Sequence, residues 1–234
     1  MFDILKKPDE VTDALPTPDE LKKALASHVE TATGESVPLS DLVAPGKRTL
    51  LTFVRHHHCG ICHEFVRALG RDAFLGTLHA ATASGADDDG VAKAGQQQCQ
   101  VVVVGHGPWK GIETYKQRSE CKFDMVVDHE AKGAYQHLGL TRSTLGGATS
   151  SPSYMNGKSI LAVAAHSTYT VLADAIKGAP GGRIKDMGDV ALLGGDFIID
   201  EDGKCIFCHR MRTTADHTDV AKLSALLKGN KEEA

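Results

Sequence analysis

The chain has 234 residues, of which 41% are hydrophobic and 24% charged, the composition of a globular protein that can bury a core. This composition excludes a disordered chain and a small scaffold held together only by disulfides. The 26 Lys and Arg against 30 Asp and Glu give a net charge of −4, and only 5% of residues are aromatic, so nucleic acid is not an expected partner.

No membrane or targeting segment is predicted. The apolar run at the N-terminus is broken by Lys6, Lys7 and Pro8, well short of the apolar core of a signal peptide. The most apolar stretch, residues 159–176, contains too many polar residues to span a bilayer unaided. We therefore expect a cytoplasmic protein, in which six cysteines predict redox chemistry or metal binding before structural disulfides.

The first predicted element is a helix that starts at Thr17. Pro18 suits the first helical turn, and Glu20 stands three residues after the capping threonine. The pattern predicts one apolar helical face that carries Leu21, Leu25 and Val29. A buried strand is predicted at residues 49–54 and a helical pattern at residues 64–74, with the sequence Arg55 to Cys62 between them.

The second half alternates further strands and helices. Residues 80–98 are small, polar and acidic, which predicts a surface insertion, and residues 141–158 are rich in Gly, Ser and Thr. The remaining predicted elements are a strand at 101–104, a helix at 109–118, a strand at 123–127, a helix at 159–177 that stops at 178–182, a hairpin of strands at 197–199 and 205–208, and an amphipathic helix at 215–228.

This order of elements predicts an α/β layer architecture with an antiparallel end. We expect an N-terminal helical extension over residues 1–36 and a main domain over residues 37–230. Two insertions are expected in that domain, near residues 80–98 and 141–182.

The strongest chemical signal is Cys59-Gly60-Ile61-Cys62, where a core strand ends and a helix begins. The N–H groups and dipole of a helix N-terminus stabilise an anion, so Cys59 is expected to have a pKa of roughly 4–7 instead of about 8.5. Arg55 and three histidines add positive charge nearby. Cys62, one turn later, can attack a sulfenic acid or mixed disulfide formed at Cys59.

Other patterns leave alternatives open. Cys205 and Cys208 could complete a four-thiolate zinc site, but positions three apart on a strand are expected on opposite faces. Residues 56–58 are histidines and, together with His63, could bind a transition metal beside the thiols, although adjacent histidines point in different directions and most are expected to be solvated. The glycines of residues 105–111, with Asp128 after the next strand, approach a dinucleotide-binding fingerprint in the wrong spacing. Cys121, in a polar loop, is a candidate alternative resolving thiol, although a cysteine in such a place is more often a spectator, and Cys99, which enters a buried strand, is expected to be inert.

Residues 53–62, with the sequence FVRHHHCGIC, resemble the F-x-R-H-x-x-C-x-x-C signature of the peroxiredoxin-like AhpC/TSA-type family, which includes the prostamide/prostaglandin F synthases. The resemblance extends from about residue 37 to the C-terminus. It implies a thioredoxin-like fold, that is, a central mixed sheet with a C-terminal β-hairpin and helices on both faces. It also implies thiol-dependent reduction of a hydroperoxide, an endoperoxide or a disulfide.

The resemblance further implies roles for individual residues. Cys59 would be the attacking thiolate and Cys62 the resolving thiol, in a redox-active disulfide, with Arg55 and His56 stabilising charge at the site. A thioredoxin-type or glutathione reductant would supply electrons, drawn indirectly from NADPH, with no tightly bound cofactor. A homodimer is compatible with these expectations.

The sequence also departs from the family patterns. The Pro-x-x-x-Thr-x-x-Cys pattern of true peroxiredoxins is absent, and Gly194 and Gly195 stand where thioredoxins carry a cis-proline facing the cysteines. These glycines and the helix at 159–177 are the predicted walls of a substrate pocket. A metabolic enzyme with isomerase- or cyclase-like chemistry on the same fold, and a non-catalytic metal-binding or redox-sensing module, therefore stay open as alternatives.

Overall fold

The computed structural model describes residues 11–78, 99–146, 148, 150–177 and 188–229. The predicted insertion at residues 80–98 and the predicted helix stop at residues 178–182 lie outside these ranges. Within them, no helix is both long and apolar enough to cross a membrane.

The described ranges contain six α-helices and seven strands. The helices are α1 (Pro18–Ala26), α2 (Gly60–Arg71), α3 (Ile112–Ser119), α4 (Ala134–His137), α5 (Ile160–Lys177) and α6 (Val220–Leu227). The strands are β1 (His28–Glu30), β2 (Ser36–Pro38), β3 (Arg48–Phe53), β4 (Cys99–Gly105), β5 (Asp124–Val127), β6 (Gly195–Ile199) and β7 (Cys205–Arg210). The predicted strands and helices are therefore present, although α6 begins later than expected, after the capping carboxylate of Asp219.

The seven strands form one mixed sheet in the order β2-β1-β5-β4-β3-β6-β7. The three central strands β3, β4 and β5 are parallel, while β6 and β7 form the antiparallel C-terminal hairpin. In the register of the sheet, Leu51 lies opposite Val102 on one side and Phe197 on the other. The continuous apolar runs of these strands are explained by burial on both faces of the sheet.

The N-terminal segment holds a helix and two strands. Thr17 and Glu20 form the expected capping box, in which each side chain accepts a hydrogen bond from the backbone of the other. The prediction that Val29 continues the apolar face of this helix is wrong, because α1 ends at Ala26 and Val29 lies in β1. Strand β1 pairs with both β2 and β5, so the predicted helical extension also supplies an edge of the sheet.

Two apolar layers cover the faces of the sheet. On one face, Leu50, Val103 and Ile198 pack with the buried residues of α2, α3 and α6. On the other face, Leu51 and Phe197 pack with residues of α1 and α4. The alternation of neighbouring strand residues between the two layers follows from the two-residue period of a strand.

Tyr135 of α4 fixes the carboxyl ends of the two central strands. Its buried hydroxyl lies 2.5 Å from the carbonyl oxygen of Val54 and 3.0 Å from that of Val104. The Val54 N–H donates to the Val104 carbonyl at 2.9 Å. Arg55 follows Val54 directly, so these bonds position the chain that leads into α2.

Candidate thiol site

Cys59 is the capping residue of α2. Its sulfur accepts a hydrogen bond from the backbone N–H of Cys62 at 3.2 Å, one of the N–H groups that a helix start leaves without an intrahelical partner. The sulfur thus lies at the positive end of the helix dipole, as predicted. Both cysteines are reduced, and Cys59 is only 3% exposed.

Arg55 brings a full positive charge to the same sulfur. Its Nη1 lies 3.6 Å from the Cys59 Sγ, and its Nη2 donates to the carbonyl oxygen of Val190 at 2.7 Å. The Arg55 residue is itself buried. The bond to Val190 therefore holds the guanidinium in place between the loop before β6 and the thiol.

The surroundings lower the pKa of Cys59 and raise that of Cys62. Burial alone would raise the pKa of Cys59, but hydrogen bonds from the Cys62 thiol and N–H and the charge of Arg55 outweigh it and lower the pKa to about 6. Burial, together with the hydrogen bond to Cys59 and its negative charge, raises the pKa of Cys62 well above its usual value. At neutral pH the pair is a thiolate at Cys59 and a thiol at Cys62.

The other four cysteines are not activated. Burial raises the pKa of Cys121 and of Cys205 to about 11 and that of Cys208 to about 12, and also raises that of Cys99. Cys121 lies in the apolar core with its sulfur 3.7 Å from the carbonyl oxygen of Phe123. Cys121 lies in the loop between α3 and β5, as expected, but its side chain is buried, and its role as an alternative resolving thiol stays a prediction.

The role of His56 at the thiol stays a prediction, because among the described residues no hydrogen bond joins its ring to the Cys59 sulfur. The described contacts of the Cys59 sulfur come from Arg55 and Cys62, and His56 contributes only its carbonyl oxygen, which accepts from the Cys59 N–H at 3.0 Å. Burial and the charge of Arg55 lower the pKa of His56 well below its usual value, so its ring is neutral. Burial likewise lowers the pKa of His57 and of His63 to about 3.

The second cysteine pair lies on the other side of the sheet from the first. A register irregularity between Ile198 and Ile199 places Cys205 opposite Ile199 and Cys208 opposite Phe197, so both thiols pack on the α1 face. The prediction that Cys205 and Cys208 point to opposite faces is therefore wrong. Cys59 and Cys62 pack in the layer on the opposite face, so the two pairs do not form one zinc site. In the described part of the chain, no three His, Cys, Asp or Glu side chains are placed to hold a metal ion.

In the loop at residues 105–111, whose glycines approach a dinucleotide-binding fingerprint, polar groups form hydrogen bonds within the protein. The Gly107 N–H donates to the His129 carbonyl, and the Gly111 N–H to the Pro108 carbonyl, each at 3.0 Å. The Asp128 carboxylate accepts from the N–H groups of Gly133 and Tyr135 at the start of α4. These groups are therefore not available to bind a pyrophosphate or a ribose.

Helix α5 packs against the start of α2. Gly60 faces it so closely that an added Cβ would lie 2.1 Å from the Ser167 Oγ and 2.9 Å from a methyl carbon of Val163. A cleft of about 630 Å³ opens beside Gly60 between the two helices. Its lining includes Arg67, Arg118, Lys158, Val163 and His166.

Gly194 and Gly195 lie where strands approach one another closely. A Cβ at Gly194 would lie 1.8 Å from the Phe53 carbonyl oxygen, and one at Gly195 would lie 2.5 Å from the His209 carbonyl oxygen. The close approach of neighbouring backbone is enough to explain why both positions are glycine, whether or not they line a pocket. Their predicted role in binding substrate stays a prediction.

The structure adds a polar group that the sequence did not reveal. Asp196 of β6 is fully buried and accepts hydrogen bonds from the Thr52 hydroxyl at 2.6 Å and the Thr218 N–H at 2.9 Å. His217 Nδ1 lies 3.3 Å from the same carboxylate. The one signal in the sequence is an aspartate at the start of the otherwise apolar β6.

A mixed sheet that presents a low-pKa cysteine at a helix start, after a central strand, defines a thiol-based redox protein. Comparison with known proteins agrees with this class. The model of the AhpC/TSA antioxidant enzyme family matches residues 89–213, more than half of the chain. The protein therefore belongs to this family and is a peroxiredoxin-like thiol oxidoreductase, although the matched region begins after Cys62.

Individual relatives are distant. Human Peroxiredoxin-like 2C is 24% identical over 199 residues, which cover 84% of this chain and 75% of that protein. Peroxiredoxin Q of Xanthomonas campestris superposes with a TM-score of 0.51 at 11% identity, covering 93% of this chain and 96% of its own. The bacterioferritin comigratory protein of the same organism gives 0.50 at 11% identity, covering 94% and 98%. These neighbours support the thioredoxin-like fold that the resemblance implied.

Proposed function

We propose that the protein reduces a hydroperoxide with Cys59 as the attacking thiolate and Cys62 as the resolving thiol. The observation that carries this proposal is the surroundings of the Cys59 sulfur. It accepts a hydrogen bond from the Cys62 N–H and lies 3.6 Å from the Arg55 guanidinium, and its pKa is lowered to about 6. Such a sulfur is a thiolate at neutral pH, and the thiolate is the nucleophile in peroxide reduction.

The chemistry takes two steps within the chain. The Cys59 thiolate attacks the terminal oxygen of the hydroperoxide, the O–O bond breaks, and that oxygen stays with its hydrogen on Cys59 as a sulfenic acid. The departing alkoxide takes a proton from water and leaves as an alcohol. The Cys62 sulfur then attacks the Cys59 sulfur, its proton goes to the departing hydroxide to give water, and a Cys59–Cys62 disulfide forms. A thiol reductant of the thioredoxin or glutathione type returns both cysteines to the reduced state and is itself oxidised.

Arg55 is the group best placed to replace the threonine hydroxyl of the peroxiredoxin pattern. Its guanidinium is held by the Val190 carbonyl and faces the sulfur that the peroxide must approach. A positive charge there stabilises the negative charge that develops on the leaving oxygen. Arg55 would therefore serve both the nucleophile and the leaving group.

Access to Cys59 favours a small substrate. The sulfur is nearly fully buried under α5, and the cleft beside Gly60 offers the nearest described approach. The Xanthomonas campestris neighbour has been studied for alkyl peroxide reduction. We therefore favour a small alkyl hydroperoxide over an endoperoxide or a protein disulfide. Electrons would come indirectly from NADPH through the thiol reductant, with no tightly bound cofactor.

The test is thiol titration and intact mass of the reduced protein before and after one equivalent of cumene hydroperoxide. Wild type should lose about 2 Da and two thiols, and Cys62→Ser should instead gain about 16 Da as a sulfenic acid that dimedone traps. Cys121→Ser, which removes an unactivated thiol, is the matched control and should behave as wild type. An unchanged mass with all thiols free would refute the proposal.

Wild type and the variant Cys59→Ser separate the alternative substrates. Reduced protein is supplied in turn with the hydroperoxide, a bicyclic endoperoxide and oxidised glutathione, and the Cys59–Cys62 disulfide is quantified by peptide mapping. The fastest oxidant is expected to be the hydroperoxide. Product formation from the endoperoxide that survives in Cys59→Ser would instead support isomerase-like chemistry on the same fold.

A further inference from the structure

Helix α5 is apolar on two opposite faces. One face packs on the start of α2, where Val163 and Ser167 meet Gly60. The other face carries four large apolar side chains that are exposed, Leu161, Tyr169, Leu172 and Ile176. A helix that is apolar all round is normally buried in a core, so the outer face of α5 calls for a partner.

The exposure of these four residues is concentrated on one helix. Their exposed fractions are 81%, 69%, 61% and 78% in chain order. The other large apolar residues that are exposed in the described part of the chain lie singly on three separate segments, at Leu15, Leu145 and Ile206. Single exposed apolar residues are ordinary, whereas a continuous apolar patch marks an interaction surface.

The four side chains belong to one stripe along the helix. With the small residues between them, the α5 stripe consists of Leu161, Ala165, Thr168, Tyr169, Leu172 and Ile176. These positions recur at intervals of three or four residues, which at about 3.6 residues per turn keeps them within roughly 100° of the helix circumference. No charged side chain interrupts the stripe. This spacing is that of a seam between two packed helices, so the stripe fits another helix.

The neighbouring parts of this chain offer little that could cover the stripe. Residues 79–98 contain no Leu, Ile, Met, Phe, Tyr or Trp, and residues 178–187 contain only Ile184 and Met187 of these types. Residues 1–10 lead towards α1, which packs on the opposite face of the sheet from α2. An anionic lipid surface is not favoured either, because the net charge is −4 and the stripe has no Lys or Arg.

The stripe is complementary to itself. A two-fold axis between Thr168 and Tyr169 would place Leu161 of one copy opposite Ile176 of the other, and Ala165 opposite Leu172. Apolar side chains would then meet along the whole helix, the small Ala165 would make room for Leu172, and no like charges would face each other.

We propose that α5 is an interaction surface for a second copy of this chain, in which two α5 helices pack antiparallel along the stripe in a homodimer. At about 150–200 Å² for a large apolar side chain, the exposed fractions of the four residues amount to roughly 500 Å² in each copy. A standard interface buries about 800 Å² on each partner. The stripe supplies more than half of that area, at the low end of what a specific dimer needs, so the dimer is expected to dissociate on dilution.

The inference does not rest on the proposed function. The α5 residues that line the cleft beside Gly60 are all outside the stripe. Dimer formation and peroxide reduction are therefore measured separately, and failure of either is distinguishable from failure of the other.

The test is the mass of reduced full-length protein by light scattering after gel filtration, over a dilution series. Wild type should have twice the mass of one chain at high concentration and the mass of one chain at low concentration. Leu172→Glu should raise the dissociation constant at least tenfold, because each copy would bury an unpaired carboxylate. Leu145→Glu changes a residue that is 72% exposed outside α5 and is the matched control, which should dimerise as wild type does.

Cross-linking tests the arrangement of the two helices. Thr168 lies beside the proposed axis, so Thr168→Cys should be joined into a dimer by a short bismaleimide. The background is Cys59→Ser, which removes the most reactive native thiol. Leu145→Cys in the same background is the control and should not be cross-linked.

A wild type that stays monomeric at every concentration would overturn the inference, and so would a dimer that Leu172→Glu leaves intact. A monomer that Leu172→Glu destabilises would mean that a segment of the same chain covers the stripe. A monomer that binds phosphatidylcholine vesicles would mean that a lipid surface does. The mass of wild type decides first, so a variant that fails to fold does not remove the test.

Discussion

Replacement of Arg55 tests the electrostatic explanation of the thiol site most directly. Its guanidinium nitrogen lies 3.6 Å from the Cys59 sulfur. At an effective dielectric constant of about 20, two unit charges at this distance attract by about 4.6 kcal/mol. Since one pKa unit corresponds to about 1.4 kcal/mol, the attraction sets an upper limit of roughly 3 units.

Arg55→Met should therefore raise the pKa of Cys59 from about 6 by about 1–3 units. At pH 7 a rise of 2 units reduces the thiolate fraction from about nine-tenths to about one-tenth, so alkylation and peroxide reduction at that pH should both slow about tenfold. The pKa of Cys59 in Arg55→Lys should lie between the values in wild type and in Arg55→Met, because lysine keeps the positive charge but loses the planar donor geometry of the guanidinium.

The assay is the rate of Cys59 alkylation between pH 4.5 and 9.5, followed by mass spectrometry on reduced protein. Arg71→Met is the matched control, because it removes another arginine near the site, one that lines the cleft beside Gly60 and pairs with Glu120 at the surface. A midpoint in folded Arg55→Met that equals that of wild type would refute the reasoning. It would mean that the helix N–H groups and the Cys62 thiol alone set the reactivity.

Three further predictions concern reactivity and stability. At pH 7, a limiting amount of iodoacetamide should modify Cys59 before any other cysteine, because burial raises the pKa of the other five thiols. Peptide mapping that finds Cys121 modified equally fast would contradict this prediction. Gly60→Ala should lower the melting temperature and speed alkylation of Cys59, because its methyl group meets α5 at Ser167; no change in either measurement would show that α5 does not cover the site. Because the pKa of Cys59 is lower in the folded than in the unfolded protein, its ionisation adds stability that is complete above the unfolded value near 9.0 and is lost as pH falls through about 6. The free energy of unfolding of reduced wild type in urea should therefore exceed that of Cys59→Ala by an amount that grows by about 1.4 kcal/mol per pH unit from pH 6.5 to 8.5. A difference that stays constant over this range would rule out a thiolate in the folded state.

The fold was largely predictable where local pattern and burial agree. The apolar runs of β3 and β4 and the capping residues of α1 are local signals, and each element formed as predicted. Strands β1 and β2 were missed because three residues are too few to show a two-residue period. Their pairing is a tertiary property, since β1 is a strand only in contact with β2 and with β5, about a hundred residues later.

The contacts of the thiol site also differ in how far the sequence could predict them. The relation of Arg55 to Cys59 was predictable, because the two are four residues apart around a helix start. The Thr52 to Asp196 hydrogen bond joins residues 144 positions apart, and no spacing rule could indicate it. The placement of Cys205 and Cys208 was predicted wrongly because one irregularity in register reverses the face of every later residue in a strand.

The burial of Cys59 explains why the Cys-x-x-Cys motif alone does not determine its chemistry. Removing a thiolate from water costs free energy, and here α2 and the Arg55 segment each supply a compensating group. The proposed Cys59–Cys62 disulfide would neutralise the sulfur while the guanidinium of Arg55 stayed in place, so the oxidised state would lose the interactions that stabilise the reduced one. The reduced state would then be favoured, and an external thiol would reduce such a disulfide easily. The same charges that make Cys59 reactive would thus also return it to the reactive state.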